Sequence, residues 1–342
     1  MSLHKQSQRR QIVLGAAAAA AASAFTSTQA LAQGTVQPDG IDLNLQILEV
    51  EETFFRMLRH REFDAAEMSL SSYCVSLSRS NPAFIALPVF PSRMFRHGCI
   101  FVSAKSGIER PQDLVGKRIG VPEYQMTAPV WIRGVLADEY GVDPASVTYF
   151  TGGEEQPGRE EKLKLDLPER FKVVPIGPDQ TLSQMLADGE IDALHTARIP
   201  STFYTRPDKV RRLFPDFVSV EQDYFRRTAL FPIMHVIALR RDVYEANRWI
   251  AQSLTKAFYA AQQMAYDDLA ETAALKSMLP WLVAHVEEAR REMGADWWPY
   301  GLEPNRKALE TFTRYHFEQG LSKRLLGLDE LFAPESLEAF KI

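Results

Sequence analysis

One histidine, His235, interrupts an apolar run that otherwise reads as a buried strand in FRRTALFPIMHVIALRRD, Phe225 to Asp242. An imidazole there is either a satisfied core residue or a tunable proton donor, since burial lowers its pKa and a carboxylate neighbour raises it. Arginines gather in three short segments at the ends of strand-like runs. PSRMFRH carries Arg93, Arg96 and His97; HTARIPS carries His195, Arg198 and Ser201; YFRRTALFPIMH carries Tyr224, Arg226 and Arg227 ahead of His235. Singly, each reads as an ordinary surface residue. Guanidinium forks grip carboxylates through paired hydrogen bonds, so forks converging from separate loops imply an acidic small molecule. A fourth segment, GVPEYQMTAP, follows a strand and opens a helix near Thr127. It puts Gln125, Met126 and Thr127 where first-turn N–H groups and the helix dipole attract an anion. The Thr127 hydroxyl would either face that ligand or cap the helix. The glycine pattern and lysine of a phosphate loop are absent, as are the dinucleotide glycine motif, the serine-hydrolase elbow and metal-ligand spacings.

The elements that must carry these loops alternate strand with helix. IDLNLQIL alternates as a strand from Ile41, and VEETFFRMLRHREF follows as a helix with Glu51 and Glu52 at its positive end. FDAAEMSLSSY reads as a short buried strand leading to the next helix, and FIALPVFPSRMFRHGCIFVSAKSG as two strands joined by a Pro/Arg-rich connection. RIGV, VTYF and FKVVPIG read as further strands, TLSQMLADGEIDAL as helix, glycine stop and strand, and TGGEEQPGREEKLKLDLPER as a polar excursion. From Asp242 onward the pattern is almost wholly helical, and no internal repeat is visible. Strands alternating with helices imply mostly parallel sheets, with ligands off the carboxyl ends of the strands. The loops AEMSLSS, PSRMFRH, PEYQMT and HTARIPS are therefore where a site is expected. DWWPYG, Asp296 to Gly301, reads as packing between lobes.

The chain has 342 residues, 46% hydrophobic and 24% charged, with a formal net charge of −5. That is enough for two lobes, and the acidic balance argues against a nucleic-acid partner. Cys74 and Cys99 are too few for a disulfide framework or a metal cluster. MSLHKQSQRR, the alanine-rich run after it and ALA at Ala30 to Ala32 have the order of a cleaved export leader; Arg9 and Arg10 give it a twin-arginine form. The other reading of this stretch is a first strand and an alanine-rich helix. The expected division is residues 1–32 as leader, 33–98 with 240–342 as one lobe, and 99–239 as the other. The expected location is the periplasm if the leader is cleaved and the cytoplasm if it is not, with no membrane insertion.

From about Pro38 the chain resembles the 4,5-dihydroxyphthalate decarboxylase family, in EETFFRMLRHREFDAAEMSLSSY, PVFPSRMFRHG, GKRIGVPEYQMTA, WIRGVLADEYGV, YFRRTALFPIMH, LPWL, WPYG and DELFAP. The resemblance implies an α/β, two-lobed type II periplasmic-binding-protein-like fold with a helical C-terminal segment. It implies two crossings between the lobes, at CIFVSAK and at the strand holding His235. It implies loss of one carboxylate from a dihydroxylated aromatic diacid, without an organic cofactor. In that setting His235 is the expected proton donor to the ring and His97 the second candidate. Glu67 or Glu123 would accept from the phenolic hydroxyls. Arg93, Arg96, Arg198, Ser201 and Arg227, with Gln125 to Thr127, would hold carboxylates, and Phe95 or Met126 would give the leaving one a less polar pocket. The family's first cleft loop corresponds here to AFTSTQAL, Ala24 to Leu31, which lacks that loop's aspartate and arginine. The competing reading is an exported binding protein that captures an aromatic dicarboxylate for a transporter without turnover.

Overall fold

The computed structural model describes residues 10–18, 30–31 and 34–337. Two mixed sheets form the two lobes. The first has five strands in the order β2-β1-β3-β11-β4, namely Ile41–Glu49, Arg10–Ala18, Ala65–Ser69, His235–Arg240 and Phe84–Leu87. The second has six in the order β10-β5-β9-β6-β7-β8, namely Val210–Arg212, Ile100–Ser103, Ala193–His195, Arg118–Val121, Thr148–Thr151 and Lys172–Pro175. In the first, β1 is parallel to β2 and β3, and β11 runs antiparallel between β3 and β4. In the second, β6, β7, β8 and β9 are parallel, and β5 runs antiparallel between β9 and β10. Each sheet thus holds one reversed strand next to an edge strand. That architectural repeat leaves no sequence repeat, because sheet order is set by crossovers rather than by local pattern.

The helices, numbered in chain order, are α1 Val50–Phe55, α2 Leu70–Leu77, α3 Thr127–Tyr140, α4 Leu182–Asp188, α5 Ser201–Thr205, α6 Phe217–Thr228, α7 Arg241–Ala246, α8 Trp249–Ala270, α9 Leu282–Met293 and α10 Arg306–Glu318. The helix expected to run past Arg59 turns into a wider π-helical turn at Arg56–His60 and closes on Arg61 in the left-handed region. The C-terminal region is helical between irregular stretches. There α10 packs on α3, with no room for a side chain at Gly134, where an added Cβ would lie 2.0 Å from the Tyr315 ring. One core runs through both lobes and the C-terminal helices, with Phe63, Trp131, Tyr224, Phe258 and Phe312 at its largest buried positions. Cys74 and Cys99 are free and buried in it. None of the described helices is long and apolar enough to cross a membrane.

The sheets revise three expected boundaries. The apolar run read as the core of an export leader is here the strand β1, paired along its whole length with β2. Most of AFTSTQAL lies outside the described residues. Strand β11 belongs to the first sheet, so the second crossing ends before His235 rather than after 239. CIFVS is β5, inside the second sheet, so the first crossing comes before Ile100 rather than through CIFVSAK. The two crossings run side by side: Arg93 bridges Ile233 antiparallel, the Met94 amide donates to the Pro232 carbonyl at 3.1 Å, and the Met234 amide to the Ser92 carbonyl at 2.9 Å.

Candidate functional site

A cavity of about 270 Å³ opens between the lobes at the carboxyl ends of the strands. All four loops named from the sequence contribute: Ser69 and Ser72 from the first, Ser92 to Met94 and Arg96 from the second, Glu123, Met126 and Thr127 from the third, Ala197 and Arg198 from the fourth. His235 completes its wall, as do Val50, Glu51 and Phe54 at the start of α1.

His235 is the first residue of β11. The register sets His235 opposite Ser69 and Ile237 opposite Glu67, so Glu67 and His235 are diagonal neighbours on one face, within reach of long side chains. His235 Nδ1 lies 2.6 Å from Glu67 Oε1. Glu67 is buried at 4% exposure and does not line the cavity, whereas His235 does. The Phe54 ring meets the imidazole edge-on, centroids 4.9 Å apart. A carboxylate behind one ring nitrogen fixes the tautomer and the orientation of the ring, leaving the other nitrogen available to the cavity. Glu67 is therefore His235's partner rather than an acceptor for phenolic hydroxyls.

The positive groups are arranged differently from expectation. Arg96 is 7% exposed and lines the cavity. Its Nε donates to the Met234 thioether at 3.1 Å, and its Nη1 to Cys99 Sγ at 3.6 Å and the Ala197 carbonyl at 3.4 Å. Sulfur is a weak acceptor, and Arg96 has no carboxylate partner among the described residues. Arg93, by contrast, spends its fork on the carbonyls of Phe231 and Pro299 and on Asn305 Oδ1. Burial pulls its pKa down to about 10, and its guanidinium braces the crossing against DWWPYG, whose Trp298 donates to the Phe90 carbonyl. Arg198 lines the mouth, with Nη2 at 3.4 Å from Glu51 Oε2.

Two cations that the sequence reading passed over reach in from the polar excursion after β7. Arg159 donates to Glu123 from Nε at 2.9 Å and Nη2 at 2.6 Å, and from Nη1 to Glu51 at 3.1 Å. Lys162 donates to Glu123 through both its ammonium and its amide. Glu123 is 2% exposed, so this contact is shielded from water and holds both cations on the cavity wall; it does not leave a free base for a phenol. Glu161 ties the same loop to the Tyr124 amide, and burial followed by the charge of Glu123 raises its pKa to about 7. Burial alone would raise Glu51, but the Arg159 and Arg198 guanidiniums outweigh it and hold it below its ordinary value. Counting lining side chains, Arg93, Arg96, Arg159, Lys162 and Arg198 face only Glu51 and Glu123. Five positive charges against two negative leave three positive, which suits a dianion.

Thr127 opens α3, with Met126 as its uncapped N-cap. The Thr127 hydroxyl accepts from the Ser71 amide at 3.1 Å and lies 2.8 Å from Ser69 Oγ, so it links the lobes rather than capping its own helix. The amides of Thr127 and Ala128 remain first-turn donors that the helix cannot use. Gln125 is fully buried beside this loop, outside the cavity lining, with neither side-chain atom hydrogen-bonded.

Besides Glu67 and Gln125, four expected residues fall outside the cavity. His97 is buried among Tyr140, Phe214 and Tyr224, and burial, then Arg227, lowers its pKa to about 4. Arg227 is out on α6, paired with Asp223 and Glu139. Ser201 opens α5 and gives its amide and hydroxyl to Glu155. Phe95 stacks on Phe231 away from the cavity.

A 4,5-dihydroxyphthalate decarboxylase of Comamonas testosteroni is 42% identical over 318 residues, 93% of this chain and 96% of that protein. The chain belongs to the 4,5-dihydroxyphthalate decarboxylase family. A second such decarboxylase, of Pseudomonas putida, is 44% identical over 202 residues, 59% of this chain and 78% of that protein. The description "NMT1/THI5 like" matches residues 96–156 of this family member, the stretch from Arg96 through β7. Its fold is that of a periplasmic sulfonate-binding protein, SsuA, from Methylobacillus flagellatus (TM-score 0.54, 13% identity, 96% of this chain and 93% of that one) and of the SsuA of Escherichia coli (TM-score 0.51, 12% identity, 95% and 97%). Arg159 and Lys162 are legible in the sequence only as charge density: GREEK sits in a polar loop at the carboxyl end of β7, a position as favourable as the four loops named.

Proposed function

We propose that the protein decarboxylates 4,5-dihydroxyphthalate to protocatechuate in this cavity, with His235 as the proton donor to the ring. The observation that carries the reading is the imidazole of His235, backed by a buried carboxylate at 2.6 Å, on the wall of a cavity with surplus positive charge. Direct loss of carbon dioxide would leave an aryl anion. Protonating the ring carbon that bears the carboxylate avoids it: the hydroxyl para to that carbon supplies the electron pair for the new C–H bond. The C–CO₂ bond then breaks, its electrons restore aromaticity, and the imidazole regains a proton from water. A positioned general acid contributes roughly 10²- to 10⁴-fold in rate. The leaving carboxylate is best turned toward the Phe54 and His235 wall, because strong charge pairing in the ground state would oppose its loss. The retained carboxylate then meets Arg159, Lys162 and Arg198.

The test is to follow protocatechuate formation spectroscopically with wild-type protein and His235→Ala. Turnover in the first and a loss of at least 100-fold in kcat in the second supports the reading. Tight binding of 4,5-dihydroxyphthalate without product would replace it with a capture protein.

The working protein, on this reading, retains Arg10–Ala18. Cleavage after Ala32 would remove β1 from between β2 and β3 and unpair both, exposing a sheet interior that folding depends on. Intact-mass measurement of protein from its native cell tests this. A mature chain that starts after Ala32 and is active would refute it and place the enzyme outside the cytoplasm.

A further inference from the structure

Glu51 stands at the cavity mouth on the first turn of α1, in the lobe built on the first sheet. Its partners both come from the other lobe: Oε1 takes Arg159 Nη1 at 3.1 Å, and Oε2 lies 3.4 Å from Arg198 Nη2. One carboxylate thus receives two guanidiniums from two separate loops, one on each oxygen. That is the arrangement a ligand's carboxylate would require. We infer that Glu51 is an internal counter-ion that occupies the receptor for the substrate's retained carboxylate, gives it up on binding, and competes for it again when the product must leave.

The contrast with Glu123 carries the argument. Glu123 belongs to the same lobe as Arg159 and Lys162 and is 2% exposed, so its pairs persist however the lobes move. The Glu51 side chain is 35% exposed and that of Arg198 57%, and their contact spans the gap between the lobes. Exposed pairs of this kind are weak and part readily. Arg159 divides its fork between the two roles: Nε and Nη2 stay with Glu123, and only Nη1 is free to exchange Glu51 for a ligand oxygen. Displacing Glu51 also takes one of the two negative charges off the cavity wall. The ligand's second carboxylate then enters a more positive field.

The inference deepens the carboxylate reading of the cavity and rests on it, so its test uses binding rather than turnover. The variant is Glu51→Gln, which keeps the shape and drops the charge, and the probe is phthalate, a diacid without the hydroxyls that drive the reaction. Calorimetry at low salt should show phthalate binding about ten-fold more tightly to the variant, the effect of removing two weak competing pairs. Protocatechuate should inhibit the variant more strongly by a similar factor, whereas catechol, which has no carboxylate, should bind both proteins equally. Phthalate affinity that is unchanged or weaker, or absent from both proteins, overturns the inference. Should Glu51→Gln fold poorly, Glu51→Asp keeps the charge but shortens the arm, so it cannot serve both guanidiniums; it too should bind phthalate more tightly, and an unchanged Kd is again refuting. Wild-type protein that binds phthalate but forms no protocatechuate would sink the catalytic reading alone. Normal turnover with unaltered phthalate affinity in the variant would sink this inference alone.

Discussion

Replacing Glu67 by glutamine separates the proton donor's chemistry from its placement. The amide is nearly isosteric, and its oxygen can still accept from His235 Nδ1, so the ring keeps its orientation. What is lost is the negative charge on the partner of the ring that hands over the proton. The contact is short, 2.6 Å, and Glu67 is 4% exposed, so solvent screens it little. A hydrogen bond with one ionised partner contributes about 1.5–3 kcal/mol, which at about 1.4 kcal/mol per decade is roughly a 10- to 150-fold loss of rate. Glu67 does not line the cavity, so the loss should fall on kcat while phthalate affinity stays within about two-fold. The assay is steady-state protocatechuate formation for wild type, Glu67→Gln and Glu67→Ala, with phthalate Kd measured beside each. Glu67→Ala, which also frees the ring, should cost more than Glu67→Gln. An unchanged kcat in Glu67→Gln, or a loss confined to KM, would show that the buried carboxylate plays no part in proton delivery.

Other outcomes follow from the same structure. Arg96→Met removes a deep lining guanidinium that makes no salt bridge among the described residues and, unlike Arg93, is held mainly by weak sulfur acceptors, and should raise KM for the diacid about ten-fold or more, with a smaller effect on monoacid inhibitors; an unchanged KM would mean that these internal contacts are the side chain's whole purpose. Gly134→Ala places a methyl 2.0 Å from the Tyr315 ring, which is 1% exposed and bonded to Asp138, so it should cost about 2 kcal/mol or more, read as a drop of several degrees in Tm. Acid stability should have a shelf. Burial lowers His97 to about 4 and His195 and His316 to about 3, below their ordinary 6.5, so the unfolded chain takes those protons first and stability is lost as pH falls from 6.5. Burial raises Glu154 and Glu161 to about 7 and Glu221 to about 6, above their ordinary 4.5, so the folded chain takes those protons first and stability is gained as pH falls to 4.5. The two sets offset between about pH 6.5 and 4.5, below which only the loss remains; a Tm that declines steadily from pH 7, or holds to pH 3.5, would contradict this.

Strand-by-strand pattern was readable because it is local. RIGV is β6, the helix opening at Thr127 is α3, and Gly189 ends α4 in the left-handed region, each from residue types within a few positions. The four strand-end loops were readable for the same reason: in open α/β sheets those ends form the cleft. Which arginine faces inward was not, because that depends on the face from which a side chain leaves its loop. Arg93 and Arg96 are three residues apart and both reach the cavity wall, yet Arg93 spends its fork on Phe231, Pro299 and Asn305, whereas Arg96 meets only two sulfurs and the Ala197 carbonyl.

By itself the sequence determined the class of fold, the placing of His235 in a strand, and the idea that positive loops meet an acidic ligand. Only the tertiary structure decided that Glu67 backs His235, that Glu123 anchors Arg159 and Lys162, and that β1 stands inside the first sheet. The reason is separation along the chain. Glu67 and His235 lie 168 residues apart and Glu51 and Arg159 lie 108 apart. Strand register and the two crossings bring them together, and neither leaves a trace in local periodicity.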